Sequence, residues 1–249
     1  MPTSQPREDE SQTCGIDTGF HTDWIALRTA AQPDAAASAT LEHLCGTYWF
    51  PLYAYVRRRG YNPEDAQDLT QEFYARVLGT PWLEEVHPSK GKFRAYLLAC
   101  MNRFLANQRR REHTEKRGGG SVVLSLEALA DENRCQVEPA REDSPDKAFE
   151  RHWALALLAV ARARLQKECE LTGKAVLFQA LAGKLTGEHG LGYAEIAGRL
   201  GMSEDAVKKA AQRLRERYQT LLREEIAQTV SGPEEVEAEL RWLFAALQG

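Results

Sequence analysis

Residues 193–218 read YAEIAGRLGMSEDAVKKAAQRLRERY, and this stretch decides how the C-terminal half of the chain is built. Ala194, Ile196, Ala197 and Leu200 recur at the spacing that gives a short helix one small apolar face. Gly201 follows where the chain must leave that helix, and glycine enters the left-handed region there without steric cost. Ser203 can accept from the open amides of a second helix, whose first turn carries Glu204 and Asp205 against the positive end of the helix dipole. Ala206 stands where a full capping box would carry Glu or Gln. Val207, Ala210, Ala211, Leu214 and Tyr218 then give the second helix a buried stripe, and Lys208, Lys209, Gln212, Arg213, Arg215 and Arg217 form its polar face. Two short helices, a tight turn and a basic second helix make a helix-turn-helix, so duplex DNA is the first partner to consider.

Outside that window the composition excludes more than it assigns. The 249 residues are long enough for two small domains, and 43% hydrophobic with 27% charged residues places the chain among soluble globular proteins. No apolar run approaches the roughly 20 residues that span a bilayer. The polar start MPTSQPREDESQTCG lacks the basic-then-apolar pattern of a secretion signal, so a cytoplasmic protein with no membrane partner is expected. Cys14, Cys45, Cys100, Cys135 and Cys169 are an odd, scattered set with no CxxC pair, which reads as reduced thiols and neither metal nor cofactor. His21, His43, His87, His113, His152 and His189 are dispersed, no glycine-rich phosphate loop follows a strand, and no nucleophile-base arrangement is suggested. An enzyme is therefore not expected.

A net charge of −4 looks unfavourable for a nucleic-acid protein until its distribution is read. Residues 92–117 hold eight Lys or Arg against two Glu, and residues 206–218 hold five against one. Residues 125–150 hold eight acids and three bases, and residues 224–240 hold six acids and no base. The acidic stretches cancel the total without covering the basic ones, and local field governs binding more than net charge does.

These shifts also divide the chain. A polar tail of 1–19 precedes a helical domain of 20–117, in which Leu41, Leu44, Tyr48, Leu52, Tyr55 and Val56 form a stripe ending at Arg57, Arg58, Arg59 and Gly60. Asn62 caps the next helix, with Pro63 at its first position. A long helix is predicted from Phe93 to about Arg111. Gly118, Gly119 and Gly120 open a flexible linker of 118–145, and a second helical domain of 146–225 contains the helix-turn-helix. A C-terminal helical extension of 226–249 follows, with Val236, Leu240, Leu243, Phe244 and Leu247 as its apolar stripe. Only residues 122–124 look strand-like. The extension either closes the core of the second domain, docks a regulator, or lays its acids over the basic recognition helix.

The helix after Pro63 reads EDAQDLTQEFYARVL. Asp65, Asp68 and Glu72 share one face at i, i+3 and i+7, beside an apolar face of Ala66, Leu69, Phe73 and Val77. Like charges at this spacing repel weakly, a cost that a basic partner surface would offset.

The acidic DAQDLTQEF helix, the aromatic and basic FRAYLLACMNRFLANQRRR helix, a linker and the terminal helix-turn-helix resemble, in that order, domains two and four of a bacterial sigma-70-type sigma factor of the extracytoplasmic-function group. The likeness covers roughly residues 24–223 and implies an all-α fold: two small helical domains joined by a flexible linker, the second containing the helix-turn-helix. It implies core RNA polymerase and promoter DNA as partners, with an anti-sigma factor or other regulator as a further one. Asp65, Asp68, Gln71 and Glu72 then correspond to the polymerase-docking face. Tyr96, Asn102, Arg103, Arg109, Arg110 and Arg111 correspond to the helix that captures the separated strand of the minus-ten element. Where the family commonly carries Trp and a downstream Asn, this chain offers Tyr96 and either Asn102 or Arg103; Tyr96 and Phe104 offer either stacking faces or core contacts. Ser203, Lys208, Lys209, Gln212 and Arg213 correspond to the reader of the minus-thirty-five element, where Ala206 and Ala210 replace the common Thr and Arg. The competing reading is a helix-turn-helix regulator that does not associate with polymerase.

Overall fold

The computed structural model describes residues 35–79, 92–114, 144–186, 191–230 and 232–248. Among them the chain forms α1 (Ala35–Arg58), α2 (Pro63–Gly79), α3 (Phe93–Thr114), α4 (Pro145–Leu171), α5 (Ala175–Thr186), α6 (Tyr193–Leu200), α7 (Glu204–Thr229), a 3-10 turn (Pro233–Glu235) and α8 (Val236–Gln248), with no strand among the described residues. The all-α expectation holds. The polar tail, the strand-like residues 122–124 and almost all of the linker lie outside the described residues, as do the side chains of Leu41 and Leu44.

Local chemistry sets the helix ends. The backbone N–H of Asp65 donates to Asn62 Oδ1 at 2.7 Å, which caps α2. Ser144 caps α4 by accepting from the Lys147 N–H, and Pro145 occupies its first turn, where a missing N–H costs nothing. Gly60 leaves α1 at φ 93, Gly173 leaves α4 at φ 70 and Gly201 leaves α6 at φ 63. Each occupies backbone that L side chains avoid.

Packing builds from α1 outward. The predicted stripe members Tyr48, Leu52, Tyr55 and Val56 are all buried. Tyr48 meets Phe93 of α3 edge-on at 5.1 Å, and Phe73 of α2 meets Phe104 at 5.7 Å. On its other side α1 packs along α4, where the Phe50 ring lies edge-on to His152 at 5.0 Å and the His152 Nδ1 bonds the Ala148 carbonyl. Helix α4 is the central element. It packs against α1, α5, α7 and α8, and its Phe149, Trp153, Leu157 and Leu165 are almost wholly buried. The buried apolar residues of α1 to α3 and of α4 to α8 belong to one continuous cluster. Deleting any of the large aromatic members would open a cavity of the kind that costs about 3–5 kcal/mol.

Two expectations are corrected in detail. Ala194 is exposed, so the inward face of α6 is carried by buried Ile196 and Ala197 with half-buried Leu200. Helix α7 runs unbroken to Thr229, past the expected boundary of the second domain at 225. The reason is tertiary: Leu221, Leu222 and Ile226 stay buried where the helix packs on α4 and α8, so the apolar face outlasts the basic one.

Gly201 allows a direct check. A Cβ there would meet nothing within 4 Å, so only the backbone conformation resists a side chain. Gly201→Ala should destabilise by about 1–2 kcal/mol in urea unfolding. Gly198→Ala, equally open but at ordinary helical φ, should be neutral or stabilising by up to about 1 kcal/mol.

Candidate nucleic-acid interface

Helix α2 presents its acids unevenly. Asp65 and Asp68 are exposed, whereas Gln71 and Glu72 are half-buried. Asp65 accepts from the Asn62 amide at 2.8 Å. Glu72 is bonded by Arg76, one turn on, and by Gln108 of α3, so its carboxylate ties the acidic helix to the basic one. Asp68 has no polar partner among the described residues and is the most available acid of the set.

Helix α3 sorts its basic residues in the same way. Arg103 and Arg111 are exposed and have no partner among the described residues. Arg109 is exposed but lies over the Tyr61 ring at 5.6 Å and donates to its hydroxyl at 3.2 Å. Arg110 is exposed. Tyr96 is half-buried against the core. Phe104 is buried among Phe73 and the Arg76 guanidinium, so it serves packing. Asn102 is half-buried, and its carbonyl accepts from the Tyr55 hydroxyl and from Arg59, both on the α1 side. Arg59 also donates to the Tyr55 hydroxyl through Nε at 3.0 Å and Nη2 at 2.7 Å. The Asn102 carbonyl is thus occupied within the chain, while Arg103 beside it points to solvent. Sequence reasoning missed this Tyr55–Arg59–Asn102 network; the one available signal was a Tyr and an Arg at i, i+4 at the end of α1.

The segment from α6 through its turn into α7 has the local geometry its sequence specifies. Gly201 takes the left-handed cap of α6, and the Met202 N–H reaches back to the Ala197 carbonyl at 3.0 Å. Ser203 caps α7 by accepting from the Ala206 N–H at 3.2 Å. Val207, Ala211 and Leu214 are buried, while Lys208, Lys209, Gln212 and Arg213 are exposed on one side. Lys208 pairs with Glu204 at 2.8 Å, which raises its pKa, and Gln212 bonds Glu216 at 3.0 Å. Lys209 and Arg213 have no partner among the described residues. Arg215 is held away by the Tyr193 hydroxyl at 2.7 Å.

Arg217, expected on the polar face, is instead structural. It grips Glu168 of α4 with two parallel bonds of 2.7 and 2.9 Å and also reaches Glu224. Those bonds to Glu168 raise the arginine pKa further, and Arg217 in turn lowers that of the Glu168 carboxyl. A depressed carboxylate stabilises the fold above its unfolded pKa, near the ordinary value of 4.5, and the contribution is lost as pH falls through the lower folded value. Both side chains are more than a third exposed, so solvent screening keeps the contribution small.

No helix among the described residues is long and apolar enough to cross a membrane. No curated protein and no solved structure matches the chain. A family model described as ECF sigma factor matches residues 56–224, from the last three residues of α1 through α2 to α6 and most of α7. That span is more than half of the sequence and contains every element of the candidate interface, so the chain belongs to the ECF sigma factor family, whose role is transcription initiation.

Proposed function

We propose that this chain acts as a sigma subunit that binds core RNA polymerase through α2, holds the separated strand of the minus-ten element on α3, and reads the minus-thirty-five duplex with α7. The observation that carries the reading is the coexistence, in one chain, of an exposed acidic helix face and two basic helix faces on which Arg103, Arg111, Lys209 and Arg213 have no partner among the described residues. Asp65 and Asp68 would meet a basic polymerase surface, with Gln71 beside them and Glu72 bracing α2 on α3. Arg103 and Arg111 would take phosphates of the single strand, with Arg109 and Arg110 beside them. Tyr96 would offer a stacking edge, and Asn102 would hold Arg103 in register. Ser203 would set the start of the reading helix, Lys208 and Lys209 would meet backbone phosphates, and Gln212 and Arg213 would reach base edges. In this reading residues 20–117 and 146–225 are the two working units, 118–145 is the tether between them, and the protein operates in the cytoplasm alongside polymerase. An anti-sigma factor would act by covering the same acidic and basic faces.

The decisive experiment is transcription in vitro from a genomic promoter library with purified core polymerase. Promoter-specific transcripts that depend on this chain are expected. Sequence-specific duplex binding with no affinity for core polymerase would favour the helix-turn-helix regulator instead. The strand-holding role has its own check. Replacing Arg103 and Arg111 together by Ala should lower the log–log salt slope of single-strand binding by about 0.7 per lost contact, or about 1.4 in all. An unchanged slope would remove these arginines from the interface.

A further inference from the structure

Arg94 stands in the first turn of α3, inside the basic stretch, yet it is buried. Its Nε donates to Glu239 Oε1 of α8 at 2.6 Å, and its guanidinium lies 3.3 Å from the centre of the Trp242 ring, also on α8. From α4, Trp153 approaches within 5.4 Å and Glu150 within 3.5 Å. Glu239 is itself only 1% exposed, and Lys92 closes on its second oxygen at 2.5 Å. The two cations come from the strand-holding half of the chain, and the acids and indoles come from the helix-turn-helix half. Glu237, two residues earlier on the exposed side of α8, pairs with Arg223 of α7 at 2.7 Å and fastens the same helix to α7. Glu239 and Glu237 therefore engage Arg94, Lys92 and Arg223, not Lys208 or Lys209.

We propose that α8 is a releasable intramolecular latch: by clasping Arg94 between Glu239 and Trp242 it holds α3 shut against the helix-turn-helix half, and assembly with core polymerase draws the two apart. The closure itself follows from the contacts. Its consequence for transcription rests on the sigma-subunit reading above.

Opening is needed on that reading for a reason of scale. Elements centred near minus ten and minus thirty-five are about 25 base pairs apart, roughly 85 Å along the duplex at about 3.4 Å per pair. A compact body of this chain length has a radius of gyration of about 18 Å. The strand-holding and duplex-reading faces cannot reach both elements while their helices share one core. The latch suits reversible closure. A buried ion pair loses in desolvation much of what it gains in Coulomb attraction, so it fixes register without making separation prohibitive. The seam of α1 on α4 also joins the two halves and parts in the same step, whereas the apolar hold of α8 itself is shallow. Leu243 is fully buried, but Leu240, Trp242 and Leu247 are partly so, and Phe244 is 47% exposed.

The test is made on the full-length chain, with spin labels introduced by a non-cysteine chemistry at exposed Ala106 on α3 and exposed Gln219 on α7. Pulsed electron-resonance distances in the free wild type should form one short population. E239Q and R94Q should each raise a longer population about tenfold or more, because each leaves a buried charge short of its partner. The double variant should open no further than either single one, since both remove the same contact. R94K, which keeps the charge without the flat stack on Trp242, should open partly with helical content intact. Wild-type distances in both single variants would overturn the latch. So would a loss of helical content in E239Q and R94K, which would make α8 an ordinary piece of the core. Core-polymerase affinity is then compared within the same set: E239Q should bind about tenfold more tightly than wild type. Equal affinity would remove the regulatory role. A wild type with no affinity for core polymerase would instead sink the sigma-subunit reading, leaving the distances to judge the latch on their own.

Discussion

Replacing Asp65 and Asp68 together by Lys should lower the affinity for core RNA polymerase by about a hundredfold or more, with helical content unchanged. Both side chains are exposed, and among the described residues the one side-chain bond of either is that of Asp65 with the Asn62 amide. The N-terminal cap of α2 survives because it is made by the Asn62 side chain on the Asp65 backbone, not by the aspartate. Placing a cation in the first turn of a helix costs only about 0.3–1 kcal/mol through the dipole. Like charges brought together at a protein interface cost several kcal/mol, so the interface suffers far more than the helix. Glu72 is left out of this variant deliberately. Its carboxylate holds Arg76 and Gln108, and Glu72→Lys would weaken the α2–α3 joint and blur the result. Binding of the purified variant to core polymerase, with circular dichroism as the control, decides the matter; wild-type affinity would dismiss the acidic face as ordinary solvated surface.

Arg213→Ala should relax the preference for one position of the upstream duplex element by about 1–3 kcal/mol, without changing core binding. Arg213 is exposed on α7 and has no partner among the described residues, so its five donors are free to meet a base edge. Gln212 begins from a bond to Glu216 and would have to exchange it, so Gln212→Ala should cost less than Arg213→Ala. Lys209→Ala should weaken all promoters alike, as a phosphate contact would. Selection of promoters from a randomised upstream element reads all three. Recovery of the wild-type consensus by the Arg213 variant would show that this helix reads no bases at that position.

Features that depend on near neighbours were legible. The Ser203 cap, the left-handed Gly201 and the Asn62 cap each depend on residues within one turn, and the structure has all three. The buried stripe of Val207, Ala211 and Leu214 was legible for the same reason, since helical periodicity is a local property. Phe104 shows the limit. Its spacing suits either a stacking face or a core position, and only Phe73 and Arg76 beside it place it in the core. The polar face of α7 was overread in the same way. Arg217 lies on it by periodicity, but Glu168, 49 positions earlier, turns it into a brace.

By itself the sequence determined an all-helical chain, several of its caps and turns, and the order of acidic and basic helices that marks the family. Each of these is written in caps, glycines and spacings that act within a few residues. Only the tertiary structure decided which charges remain available. It took Asn102 into the network of Tyr55 and Arg59, Glu72 into the joint with Gln108, and Arg94 into a buried pair with Glu239, 145 positions away. Periodicity assigns a residue to a face of its own helix. It carries no information about the helix packed against that face, and the choice between a partner within the chain and one outside it is made there.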